Sequence, residues 1–152
     1  MARRILAILL LAMAVGQISN PAGFVDALVA YEFGGRSVAW AVAVPIVLAE
    51  AVSGVGLLRR GGILRQVAPA LAVAVAVGWT ILGTQGFVRG LVLDNCGCFG
   101  VHLAQPLRWW VLLEDAEFVA LAWWVRRKDR SASKDQRPDL VVTGGAASRT
   151  QI

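Results

Sequence analysis

Charge is scarce in this chain. Charged residues make up 16% of its 152 positions and hydrophobic residues 57%, whereas soluble domains average about 25% charged. The apolar residues come in long blocks. This excludes an ordinary water-soluble domain and makes the lipid bilayer the expected solvent. The formal charge is nevertheless +5. The basic residues form no nucleic-acid patch; they lie between and after the apolar blocks, where topology signals belong. No nucleic-acid partner is expected. No repeat recurs at a fixed period, and the length allows one domain. Cysteine and histidine are scarcer still, at two and one. That is a thin ligand set for a metal ion.

Four apolar blocks remain, and a spanning helix needs about 20 mostly apolar residues. They run over about 5–18, 37–58, 66–88 and 107–125. The first is short and is followed by a weakly apolar stretch, Ala22 to Phe33, read as amphipathic or reentrant. The fourth has Trp109 and Trp110 at one end and Trp123 and Trp124 at the other, as expected of an interfacial belt. Arg108 to Arg126 spans about 27 Å at 1.5 Å per residue, close to a hydrocarbon core of about 30 Å. The expected fold is all-α, a four-helix transmembrane bundle over residues 1–125.

Lysine and arginine set the expected orientation. With the N-terminus inside, the outer segments hold only Arg36, Arg89 and Arg108 of the 15 basic residues, a strong positive-inside bias. Both termini are then cytoplasmic in an inner or plasma membrane. The start, MARRILAILLLAMAVG, also has the layout of a signal peptide. The apolar, helix-compatible continuation favours a retained span, and either choice leaves the third loop outside. Residues 126–152 are polar, with Ser, Gly and Pro, and read as a disordered basic cytoplasmic tail. Its first residues are suited to rest on anionic lipid.

The third loop carries DNCGCFG, residues 94–100, with both cysteines of the chain. Disulfides persist outside the cytoplasm. A bridge between Cys96 and Cys98 would close a small, strained ring, and strained disulfides exchange readily. Gly97 and Gly100 ease the backbone cost. So short a loop would restrain the unfolded chain little, so stability is a poor reason for the pair. His102, four residues on, could tune a thiol or relay a proton, or be an interfacial loop residue. Cys96, Cys98 and His102 with Asp94 would make a metal set, but C-x-C is tight for one tetrahedral ion. A turn with idle cysteines is the plainest alternative.

Four acids fall within the blocks: Glu50 in the second, and Glu114, Asp115 and Glu117 in the fourth. Intramembrane acids usually face a bundle interior or a polar cavity. Glu114 and Glu117 share a helix face, and Asp115 points elsewhere. Glu50 shares its face with Ser53 and Gly54, small residues that let another helix approach. Glu50 reads as part of a polar pocket below the outer loop. The fourth-block acids fit either such a pocket or a tilted, partly hydrated helix.

These residues resemble a known family. NPAGFVDALVAYEF after the first block, VPIVLAEAVSGVGLL in the second, and GFVRGLVLDNCGCFG followed by PLRWWVLLEDAEFVALA are similar to the MauE family of methylamine-utilisation membrane proteins. That family is itself similar to DoxX-type four-helix membrane proteins. The resemblance covers about residues 5–125. It implies a role in methylamine metabolism, in maturation or export of the small, disulfide-rich subunit of methylamine dehydrogenase. Relatives outside that pathway carry the looser label of redox-associated membrane proteins. Cys96 and Cys98 match the family's pair and Glu50 its second-block acid. Glu114 and Glu117 make the fourth block more acidic than the family pattern.

The leading expectation is therefore a membrane-embedded thiol–disulfide relay. Cys96 and Cys98 would cycle, and Asp94, Asn95, Gly97, Phe99, Gly100 and His102 would shape the loop. The partner would be an exported cysteine-containing protein or a thioredoxin-like protein. No cofactor is evident. An oxidase would need an electron acceptor such as a quinone; the tryptophan-lined fourth helix could border one, though no sequence feature fixes its site. Whether the chain is an enzyme is left open. A non-enzymatic subunit of a membrane assembly or transport complex, and a metal or small-solute carrier, are the alternatives.

Overall fold

Helix follows helix through the computed structural model, which describes residues 1–135, with side chains to Ser131. The helices are α1 (Ala2–Ser19), α2 (Pro21–Val29), α3 (Arg36–Leu58), α4 (Ile63–Val88) and α5 (Trp109–Asp135). No strand occurs among the described residues. The described residues form five helices where the blocks suggested four; the extra one occupies the stretch read as amphipathic or reentrant. It is separated from α1 by a single residue, Asn20. That side chain caps α2 by accepting from the Gly23 N–H at 3.0 Å, and Pro21 supplies the favoured first helical residue.

Among the described residues, three helices are long and apolar enough to cross a membrane: α1, α3 and α4. Helix α5 has the length but carries Glu114, Asp115 and Glu117 within its apolar run, and so is not among them. Pro45 and Pro69 lie inside α3 and α4 without ending either. Helices packed on neighbours in an apolar medium tolerate this loss of a backbone bond. The tryptophan pairs of α5 lie on the outside of the fold. Lys128 sits over Trp124 with Nζ 4.2 Å from the ring centre, and Arg108 lies over Trp110 at 5.3 Å. Helix α5 also continues past Arg126 to Asp135, into the segment read as tail; residues 136–152 lie outside the described residues.

The long helices pack in sequence order, α1 on α3, α3 on α4 and α4 on α5, and α2 lies against α3. Leu6, Leu10 and Met13 of α1 meet Ala39 and Ala43 of α3 and Ala72 and Ala76 of α4 in the core. Gly54 lets α1 approach closely: a Cβ there would lie 2.7 Å from Leu11 and 3.2 Å from the Ala7 carbonyl oxygen. Contact between α1 and α5 is thin by comparison. At one end these helices are tied by Arg3, which donates to the Leu57 carbonyl at 2.7 Å and pairs with Asp129. The cysteine loop closes the other end.

Candidate functional site

The loop from Arg89 to Arg108 is shaped by its own hydrogen bonds. The Cys96 N–H donates to the Gln105 carbonyl at 2.8 Å and the Leu107 N–H to the Leu93 carbonyl at 2.9 Å, tying its two arms together. Within the turn, Asn95 Oδ1 accepts from the Gly97 N–H at 3.0 Å and Asn95 Nδ2 donates to the Gly100 carbonyl at 2.9 Å. Asparagine commonly organises a turn in this way. Gly97 has φ +86°, a left-handed conformation that costs a side-chain-bearing residue about 1–2 kcal/mol. The resulting turn brings the Cys96 and Cys98 sulfurs to 3.4 Å, close enough for one thiol to hydrogen-bond the other. Both cysteines are free thiols.

The turn is seated on α1. A Cβ on Gly16 would lie 2.3 Å from the Phe99 carbonyl oxygen, and one on Gly100 would lie 2.2 Å from the Gly16 carbonyl oxygen. The two backbones touch, and no larger residue fits at either position. Next to this contact Gln17, fully buried, donates from Nε2 to the Cys98 carbonyl at 3.0 Å and to Glu50 Oε1 at 3.3 Å. Trp79 Nε1 donates to the same Glu50 oxygen at 2.7 Å. Glu50 is fully buried, and its Oε2 and Gln17 Oε1 have no hydrogen-bond partner among the described residues. From the other side the Tyr31 hydroxyl donates to the Cys96 carbonyl at 2.9 Å. Burial raises its pKa well above the ordinary tyrosine value, which keeps the proton on the donor. Each cysteine carbonyl is thus held by one buried side chain.

The thiols are unequal. The neighbouring Cys98 thiol lowers the pKa of Cys96, because a hydrogen bond to the charged form favours it. Sharing that proton raises Cys98, and burial raises it further. Cys96 is therefore the thiol that ionises first. By exposed surface the order is reversed, Cys96 being buried and Cys98 part-exposed.

Both cysteines line a cavity of about 280 Å³ between the loop, α1, α4 and α5. Leu9, Met13, Val111 and Phe118 form apolar walls, Trp79 and Phe99 add aromatic surface, and Gln105, Glu114 and Asp115 bring polar groups. Asp115 is buried, whereas Glu114 and Glu117 are exposed, as their helix spacing implies. Glu114 accepts a hydrogen bond from Gln105 at 2.8 Å. Asp94 and His102 are exposed and do not line the cavity. Among the described residues, no three His, Cys, Asp or Glu side chains form a group that could hold a metal ion. Glu50 lies in a buried polar cluster with Gln17 and Trp79 beneath the loop.

Sequence reasoning did not single out Gln17, Tyr31, Trp79 or Gln105. Signals for three of them were present. Gln17 is a polar residue closing an apolar run, Tyr31 is the lone tyrosine, and Trp79 falls in mid-block rather than at an interface. Gln105 is an ordinary loop residue in the sequence, and only the fold gives it a place.

Helices long and apolar enough to span, with a paired-thiol loop seated against one end, define a helical membrane protein. The family model described as "Methylamine utilisation protein MauE" matches residues 1–126, and the chain belongs to that family. This fits a membrane protein of methylamine utilisation. Comparison with curated proteins and with solved structures gives no match.

Proposed function

We propose that this chain passes disulfides to an exported cysteine-containing partner across the pair Cys96 and Cys98. The observation that carries the reading is the contact between the two thiols, 3.4 Å apart on a turn whose carbonyls are held from beneath by Gln17 and Tyr31. In this proposal α1, α3, α4 and α5 all cross the membrane, both termini are cytoplasmic, and the loop is on the outer face, where disulfides persist. The partner is of the disulfide-rich, exported class used in methylamine oxidation.

The step begins from the Cys96–Cys98 disulfide. A partner thiolate attacks the more exposed Cys98 sulfur, and Cys96 leaves as the thiolate. A thiol of lower pKa leaves faster, so the inequality of the two thiols favours this direction. A mixed disulfide joins Cys98 to the partner. The partner's second thiolate then attacks its own bridging sulfur, and Cys98 is released. Two electrons and two protons pass from the partner's thiols to this chain.

The test is replacement of each cysteine by serine with the partner's disulfides read out. Cys96→Ser and Cys98→Ser are each expected to insert in the membrane yet leave an exported partner reduced. Normal partner maturation in both variants would refute the exchange and leave the loop a structural turn within a membrane complex.

A further inference from the structure

After each transfer, Cys96 and Cys98 are left as thiols, so continued exchange needs an acceptor of two electrons and two protons. We propose that the cavity beside the cysteines binds the head group of a lipid-soluble quinone, which reoxidises the pair. This inference rests on the exchange reading above.

Three observations converge on this occupant. The cavity contains the thiols themselves, so whatever enters meets the reacting atoms. Its volume of about 280 Å³ lies just under the roughly 300 Å³ at which drug-sized sites begin, which admits a single ring system and excludes a folded protein segment. Its position gives a route from the lipid. It lies where α1 and α5 make only thin contact. Leu9 and Phe118, one from each helix, are part-exposed at that seam, and Ile8 and Leu113 lie exposed on the outside of the same helices. An isoprenoid tail can remain in the bilayer while the ring reaches the thiols. The apolar walls suit the ring, and Gln105, Glu114 and Asp115 offer polar partners for its two oxygens.

The chemistry balances within this site. The Cys96 thiolate adds to the quinone, forming a carbon–sulfur bond. The Cys98 thiolate then attacks the Cys96 sulfur, the carbon–sulfur bond breaks, and its electron pair passes into the ring. A disulfide forms, and the quinone takes up the two protons released by the thiols to become a quinol. Glu114 and Asp115, lining the same cavity, are the carboxyls placed to carry them.

The test uses the full-length chain in detergent, reduced, freed of reductant and mixed with a one-isoprene ubiquinone. Quinol formation is followed by ultraviolet absorbance, and the disulfide by a maleimide gel shift that dithiothreitol reverses. One quinol per chain is expected, with Cys96→Ser inactive. Leu9→Trp, which fills the cavity, should slow the reaction about tenfold or more, as expected for a displaced reactant. Val44→Trp, on the exposed face of α3 and away from the cavity, should react at the wild-type rate and controls for a bulky substitution. Quinol formation no faster than in Cys96→Ser, a dithiothreitol-resistant adduct as the only product, or Leu9→Trp matching wild type would overturn the quinone site. In parallel, the oxidised chain is given a reduced dithiol peptide. Peptide oxidation without quinone reduction removes the quinone site and leaves exchange standing; no peptide oxidation refutes the exchange reading, and no reaction with either removes both.

Discussion

At the scale of single residues, Glu50 sets the most demanding requirement. It is fully buried and accepts from two donors, Trp79 and Gln17, the second of which also holds the Cys98 carbonyl. Glu50→Gln keeps an acceptor oxygen in place, whereas Glu50→Leu leaves the Trp79 N–H without its acceptor and Gln17 with the Cys98 carbonyl alone. An unsatisfied buried polar group costs about 1–3 kcal/mol, so thermal unfolding in detergent should show Glu50→Leu destabilised by that order and Glu50→Gln much less. The thiols give a second prediction. Hydrogen bonding from Cys98 lowers the Cys96 pKa, so Cys96 should be alkylated at lower pH than an ordinary cysteine. Cys98→Ala removes the bond, and the midpoint of the alkylation rate against pH should move upward. An unchanged midpoint would show that the neighbour does not set the acidity of Cys96. Cys96, Cys98 and Glu50 were legible in the sequence because each is chemically out of place in its surroundings. Asp94 and His102 were equally conspicuous, yet both lie exposed outside the cavity, since closeness along a loop does not fix which way a side chain turns.

At the scale of elements, apolar length gave the helices well and their ends less well. The blocks at 37–58 and 66–88 became Arg36–Leu58 and Ile63–Val88. Charge closed the fourth block at Arg126 on paper, but the helix runs to Asp135. Basic residues end an apolar span without ending the backbone hydrogen-bonding pattern, and lysine and arginine are good helix formers. The seating of the loop on α1 was not legible, because Gly16 is separated from Phe99 and Gly100 by most of the chain. Their contact makes a prediction at this scale. Gly16→Val places side-chain atoms where the Phe99 carbonyl now lies, and overpacking of this kind costs about 1–3 kcal/mol. The loop should lift from α1, and Cys98 should be alkylated faster than in wild type. Unchanged reactivity would mean that the loop holds its shape without α1.

For the whole molecule, the two ends differ in how they hold charge. The three arginines on the side of the cysteine loop each have a local companion: Arg36 pairs with Asp26 at 2.7 Å, Arg89 with Glu32 at 3.0 Å, and Arg108 lies over Trp110. Exposed ion pairs add about 0.2–1 kcal/mol at most, but Asp26 and Glu32 offset the charges of Arg36 and Arg89 on the face expected to be outside. Arg3, Gly56, Leu57 and Asp129 gather at the opposite end. An alkylating reagent that cannot cross membranes should therefore label Cys96 or Cys98 in intact, reduced cells. Labelling only after lysis would reverse the proposed orientation. The long separation between Gln17 and Cys98, 81 residues, has one more consequence. The groove that receives the loop is made at the beginning of translation and its occupant more than half a chain later. Within that interval α1 and α3 are complete and can pack together while the place of the thiols stands empty. A ribosome that stops before residue 96 would leave the helices that hold Glu50 with no thiol to act with.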